Sequence, residues 1–187
     1  MRLIIMGPPG AGKGTQATLL AARLGIPHIS SGEIFRANIA AGTELGALAK
    51  TYIDRGDYVP DDVTNGMIRD RLAEPDAAEG FLLDGYPRTI AQIERLDAIL
   101  AEQGLAIDHV LELTADPEEV VRRLLARAAV EGRTDDSDDV IRNRLVVYHQ
   151  QTAPLTAVYA GRGLLVQVDA LGSIEAVTNR IEQALGA

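Results

Sequence analysis

The run Gly7-Pro8-Pro9-Gly10-Ala11-Gly12-Lys13-Gly14-Thr15 decides how the rest of this chain is read. It follows a short apolar run, Leu3 to Met6, and precedes a stretch with Ala17, Leu20, Ala21 and Leu24 at helical spacing. Strand, glycine-rich turn and helix in that order make a phosphate-binding loop. Glycines let backbone amides point at phosphate oxygens, the helix N-terminus favours negative charge, and a lysine reaches the terminal phosphates. One position departs from the general signature. Gly14 stands after the lysine where Ser or Thr is usual, and the hydroxyl comes one residue later, at Thr15. A glycine-rich turn without a ligand would not account for the whole motif in this context.

Outward from the loop, short apolar runs alternate with helical patterns. Phe81 to Leu83, Val110 to Leu113 and Leu164 to Val168 read as buried strands, with His28-Ile29 a shorter one. Runs apolar on both sides suit a parallel sheet covered by helices on both faces. Asp116-Pro117-Glu118-Glu119 combines an N-cap, a proline at the first helical position and first-turn acids. Ser30 to Glu33 and Thr89 to Gln92 both fit the capping box. The alternation predicts an α/β fold with a central parallel sheet of about five strands. The whole chain, residues 1–187, reads as one domain without repeats or linkers. Two stretches lack strand signals, about 30–59 and the polar 127–137, and both are expected to lie over the active site.

Composition narrows the function. Hydrophobic residues make up 47% of the 187, enough for a real core, whereas aromatics are 4% and Trp is absent, so Leu, Ile, Val and Ala must build it. The net charge of −9 argues against non-specific binding to nucleic acid or anionic lipid. Any anionic ligand must then be held by locally concentrated positive charge. Lysine occurs only at 13 and 50, and the other basic residues are arginines, which suit bidentate phosphate contacts. Without cysteine the chain has no disulfide, no thiolate zinc site and no cysteine nucleophile. No apolar run approaches a membrane span, and the glycines from Gly7 interrupt the apolar start before a signal peptide could form. A cytoplasmic protein is expected.

Several charged residues invite a role. Asp84 ends a buried strand, where a carboxylate is costly without partners. Arg123 and Arg127, four residues apart on one predicted helix, share a face. Arg133 follows a short loop, and Arg144 lies beyond the acidic run Asp135-Asp136-Ser137-Asp138-Asp139. Taken alone, these acids and arginines would make weak surface salt bridges. The acidic run lacks the central glycine and terminal glutamate spacing of an EF-hand.

Gly7 to Gln16 (GPPGAGKGTQ), together with Asp84-Gly85-Tyr86-Pro87-Arg88, resembles the adenylate kinases, a branch of the nucleoside monophosphate kinases. The displaced threonine belongs to that family's loop, and Ser31-Gly32-Glu33 and Arg133-Thr134-Asp135-Asp136 match further motifs in the family's order. The resemblance covers essentially the whole chain. It implies a P-loop nucleotide kinase with a small helical AMP-binding lobe at about 30–59 and a short, zinc-free lid at about 127–137. The implied activity is reversible, Mg²⁺-dependent phosphoryl transfer from ATP to AMP giving two ADP, serving adenine nucleotide homeostasis. The implied partners are nucleotides alone, bound by a monomer.

Family motifs then assign residues. Gly10, Ala11, Gly12, Lys13, Gly14 and Thr15 would hold ATP phosphates. Ser31 would lie beside the AMP base, with Ser in place of the commoner Thr, or would merely cap a helix. Arg36 and Arg88 would bind AMP phosphate, and Asp57, Tyr58 and Val59 would line the AMP pocket largely through backbone. Gly85, Tyr86 and Pro87 complete that pocket, and Gln92 would read the adenine edge while also closing its capping box. Asp84 would hold waters around Mg²⁺. Arg127, Arg133 and Arg144 would surround the transferring phosphoryl group, and Arg123 would pack near the ATP base. Gly172 is equally readable as a carbonyl contact to that base or as a plain loop glycine. The histidines, His28, His109 and His149, fall outside every motif and are expected to be structural.

Two other readings compete with this one. A UMP/CMP kinase shares the phosphate loop and short lid, but that branch tends to place Ala at the position of Ser31 and Asn near Thr89. A GTP-dependent switch protein should carry an Asn-Lys-x-Asp motif, and neither lysine here follows an asparagine.

Overall fold

A computed structural model describes residues 1–131 and 137–186, with side chains up to 126 and again from 137. Five parallel strands form one sheet in the order β2-β3-β1-β4-β5: β1 (Arg2–Met6), β2 (His28–Ser30), β3 (Phe81–Asp84), β4 (His109–Thr114) and β5 (Leu165–Asp169). The expected strands are all present, with β3 and β5 each running on to an aspartate.

Both faces of the sheet are buried, and alternation along each strand divides its side chains between two cores. Ile4, Met6, Phe81, Leu83 and Val110 enter one core, beneath α5 (Ile90–Ala101) and α8 (Leu155–Gly161). Leu3, Ile5, Leu82, Leu111 and Leu113 enter the other, beneath α1 (Lys13–Leu24) and α9 (Ile174–Leu185). This is why the strands read as continuous apolar runs rather than alternating ones. Gln16 is buried where α1 meets α9; its Nε2 donates to the Ile174 carbonyl at 3.0 Å and its Oε1 accepts from Thr178 at 2.8 Å.

Between β2 and β3 the chain forms α2 (Ser31–Ala41), α3 (Glu44–Ile53) and α4 (Asp61–Leu72). Phe35, Ala49 and Val59 make a small core separate from the two under the sheet. The strand-free stretch read as a lobe is therefore helical with its own packing. Both caps form, Ser30 accepting from the Glu33 backbone amide and Thr89 from that of Gln92, but the Gln92 side chain turns to the Arg88 amide instead of closing the box on the cap. On the far side, α6 (Pro117–Glu131) begins on Asp116, whose Oδ1 accepts from the amides of Glu118 and Glu119 at 2.9 and 3.3 Å. Helix α7 (Asp138–Val147) packs on α6 through Val120, Leu124 and Ile141, and passes into a π-helical turn at Tyr148–Thr152. Among the described residues no helix is long and apolar enough to cross a membrane.

The α2–α3 crossing depends on Gly46. A Cβ there would lie 2.2 Å from the Asn38 carbonyl oxygen, so the helices touch backbone to side-chain position with no room for a methyl. Gly46→Ala should therefore cost about 1–3 kcal/mol through overpacking, read as a lower unfolding free energy in urea.

Candidate functional site

The phosphate loop closes the C-terminal end of β1 and carries the chain into α1. Gly10 and Gly12 have φ of 86° and 89°, a region open to glycine and strained for other residues, so the turn explains the motif's glycines. Gly12 caps α1 with no side-chain bond to the first-turn amides, and no acidic residue lies in that turn. Those amides are left to an anion. Lys13 is anchored inside the loop, its Nζ donating to the Gly7 and Pro8 carbonyls at 2.8 and 2.9 Å.

The loop forms one wall of a cleft of about 630 Å³. Of the residues singled out in the sequence, Gly10, Gly12, Lys13, Gly14 and Thr15 line it from the loop, and Ser31 and Arg36 from the start of α2. Asp57, Tyr58 and Val59 line it from the lobe, Asp84, Gly85, Pro87, Arg88 and Gln92 from the end of β3 onward, and Arg123 and Arg144 from α6 and α7. Ala11 is buried behind the loop. Tyr86 belongs to the core: its hydroxyl donates to Asn65 at 2.7 Å and to the Gln92 carbonyl at 3.2 Å. Burial, aided by the charge of Asp61, pushes that phenol's pKa up, so it stays a neutral donor. Gly172 is away from the cleft wall, although Arg123 bridges toward it by donating to the Ala170 carbonyl at 3.2 Å. Arg133 lies outside the described residues, as does the Arg127 side chain.

Asp84 is the electrostatic centre. It ends β3, 9% exposed, with Oδ2 lying 3.8 Å from where a Cβ on Gly14 would be. Burial alone would raise its pKa, but the His28 ring, the Lys13 ammonium and the Arg88 guanidinium together outweigh it and hold the carboxyl below the ordinary range. His28 Nε2 is 3.5 Å from Asp84 Oδ2 and its Nδ1 is 3.4 Å from the Thr18 hydroxyl. His28 thus packs beside Asp84 from behind the cleft lining, a placement that motif reading did not give. It gives no local signal; only the parallel pairing of β2 with β3, His28 opposite Leu82 and Ser30 opposite Asp84, brings it there.

Arg88 is held from several sides. Its Nε donates to the Gly85 carbonyl at 2.6 Å, its amide to Gln92 Oε1 at 2.7 Å, and its carbonyl accepts from the Thr152 hydroxyl at 3.1 Å. Its guanidinium lies over the Tyr58 ring, 4.8 Å from the centroid. The Tyr58 hydroxyl meets the Thr152 hydroxyl at 2.7 Å. The Tyr58 side chain has a structural part of its own: ring and hydroxyl tie the lobe to Arg88 and to the π-helical turn. Ser31 does not cap α2, a task that falls to Ser30; its hydroxyl donates to the Gly85 carbonyl at 2.8 Å. Asp57 is bonded to Arg55 at 3.0 Å and to Asn143 at 3.0 Å, which joins the lobe to α7.

Arg123 is shared between the cleft and the surface. Its Nε donates to Glu119 at 2.7 Å, and the pairing of Glu119 with Arg122 and Arg123 draws that carboxyl down to about 2. Among the described residues no group of three or more His, Cys, Asp or Glu could by itself enclose a metal ion.

The family model described as Adenylate kinase matches residues 5–164. An adenylate kinase of Thermobifida fusca is 60% identical over 185 residues, covering 99% of this chain and 98% of the relative. One from Kocuria rhizophila is 61% identical over 184 residues, covering 98% of each chain, and one from Nocardioides sp. is 59% identical over 185 residues, covering 99% and 97%.

The hold of Tyr58 on the core can be measured apart from any activity. Tyr58→Phe removes the bond to Thr152 and should lower the unfolding free energy by about 0.5–1.5 kcal/mol in urea. Tyr58→Leu should lower it further by about 0.5–1 kcal/mol, the usual size of an exposed cation–π contact.

Proposed function

This chain belongs to the adenylate kinase family, and from that premise we propose that it moves the terminal phosphoryl group of ATP reversibly to AMP, giving two ADP. It is a nucleoside monophosphate kinase, a phosphotransferase. The observation that carries the reading is a single cleft with two unlike halves: the phosphate loop on one side, and Ser31, Arg36, Arg88 and Gln92 on the other. One half suits a nucleoside triphosphate, the other a monophosphate.

The acceptor is already a phosphate oxygen, so no general base is needed, and catalysis consists of positioning and charge stabilisation. Lys13 and the amides at the start of α1 hold the donor's phosphates, with Gly10, Ala11, Gly12, Gly14 and Thr15 shaping the cradle. Arg36 and Arg88 hold the acceptor phosphate. The four-sided restraint of Arg88 supports this, because a pre-oriented guanidinium needs no reorganisation as charge develops. Ser31 and the 57–59 segment border the AMP base, and Gln92 reads its edge. Arg123 packs near the ATP base, with the Gly172 carbonyl as a contact at the same end. Arg127, Arg133 and Arg144 come to the transferring group from the lid and hinge.

Adenylate kinases use ATP with Mg²⁺, and the residues present fit that ion. Asp84 is buried, kept ionised and placed beside Gly14, as a carboxylate that holds metal-bound water should be. Bound with the nucleotide, Mg²⁺ neutralises charge on the phosphate oxygens. A zinc site is not part of this reading, since the chain lacks cysteine.

Water competes as acceptor, so the lobe at about 30–59 and the lid at about 127–137 must close before transfer. The few residues between Glu131, at the end of α6, and Asp138, at the start of α7, support the short-lid reading. One chain supplies both halves of the cleft, which supports action as a monomer. The charge of −9 supports a cytoplasmic enzyme working on free nucleotides, without nucleic acid or membrane.

A panel of nucleoside monophosphates offered with Mg·ATP tests the assignment. AMP should give the highest kcat/KM, with no turnover in EDTA; preference for UMP or CMP would move the chain to the pyrimidine branch of the same fold. Lys13→Ala should lower kcat by about 10²-fold or more, the scale of losing one donor aimed at developing charge. Its thermal unfolding should stay close to wild type, and near-normal turnover would remove Lys13 from the centre of the mechanism.

A further inference from the structure

We propose that Asp61 sets the choice of base in the monophosphate site by fixing the orientation of the Gln92 amide, and so favours 6-aminopurines over 6-oxopurines. The inference rests on the reading above that Gln92 faces the base.

Gln92 is 1% exposed yet borders the cleft. Its two polar ends meet partners of opposite and unambiguous character. The Arg88 backbone amide, which can only donate, gives its hydrogen to Oε1 at 2.7 Å. The Asp61 carboxylate, which when ionised can only accept, takes a hydrogen from Nε2 at 2.6 Å. Turning the amide over would set N–H against N–H at one end and oxygen against carboxylate at the other. Asp61 is itself braced, since its Oδ2 accepts from the Thr89 hydroxyl at 2.8 Å, and the Thr89 hydroxyl oxygen in turn accepts from the Gln92 backbone N–H at 3.2 Å. Residues 61, 89 and 92 form a closed ring of bonds joining the start of α4 to the start of α5.

An amide has two N–H groups and two carbonyl lone pairs. One N–H is given to Asp61 and one lone pair accepts from the Arg88 amide, so one donor and one acceptor remain, with the acceptor on the Arg88 side and the donor on the Asp61 side. A 6-aminopurine offers a ring-nitrogen acceptor beside an amino donor. A 6-oxopurine offers the reverse, a ring N–H beside a carbonyl. The base cannot turn over to compensate, because its phosphate is anchored at Arg36 and Arg88. Only an inverted Gln92 would accept the 6-oxo edge, and Asp61 opposes that inversion. Sites that match hydrogen bonds reject a mismatched partner strongly, since the buried groups are left unpaired.

The test is steady-state kcat/KM for AMP and for IMP, each with Mg·ATP, in wild type and in Asp61→Asn, Asp61→Ala and Gln92→Leu. Asparagine is the same size as aspartate but can present either a donor or an acceptor to Gln92. In Asp61→Asn the AMP-to-IMP ratio should fall about tenfold or more, with AMP losing while IMP holds or gains and the KM for ATP stays unchanged. An unchanged ratio in Asp61→Asn, or an equal loss for both nucleotides, overturns the proposal; Asp61→Ala should repeat the asparagine result if it folds. Gln92→Leu separates the premise from the inference. If it collapses the ratio while both Asp61 variants keep it, only the role of Asp61 is overturned. If it too leaves the ratio intact, Gln92 does not face the base, and the assignment of the pocket falls with the proposal.

Discussion

A single buried carboxylate organises the site. Asp84 stands at the end of a strand whose other side chains are packed in the two cores, where an uncompensated charge would be expensive. It stays ionised because Lys13 comes from the loop after β1, His28 from β2 and Arg88 from the turn after β3. Three consecutive pieces of the sheet must be in register for that to happen. The pairing of Ile5 and Ser30 with Asp84 on either side sets that register. The order β2-β3-β1 is thus an electrostatic requirement as well as a topological one.

Around that centre, the arginines resolve a difficulty in the composition. A protein with net charge −9 must collect anions, and it does so by restraining a few cations rather than by adding more. Arg88 is fixed through its backbone amide, its carbonyl, its Nε and the face of its guanidinium. Other arginines are tied to surface acids, as Arg122 is to Glu119 and Arg142 to Asp138, and take no part in the cleft. The same economy extends to the lobe, which reaches the body of the protein through Tyr58 on Thr152 and Asp57 on Asn143. Such polar ties between separately packed pieces can be broken and remade at small cost.

The chain by itself determined the elements and most of the chemistry. The spacing of Gly7 to Thr15, the doubly apolar strands and the caps at Ser30, Thr89 and Asp116 are local: each depends on residues a few positions apart, and each was legible without the fold. The phosphate-loop and Asp84–Arg88 residues that line the cleft were legible as contiguous motifs, whereas Arg36, the 57–59 segment, Arg123 and Arg144 were pointed to only by the family resemblance. What only the tertiary structure decided are the contacts between segments far apart in sequence. His28 beside Asp84, Tyr58 beneath Arg88 and against Thr152, Asp61 on Gln92, and the close crossing at Gly46 bear no local mark, because strand order and helix packing bring those partners together. A histidine before a short strand or a tyrosine in a lobe is consistent with many folds, and acquires its role only when the sheet and the helices put a particular neighbour within reach.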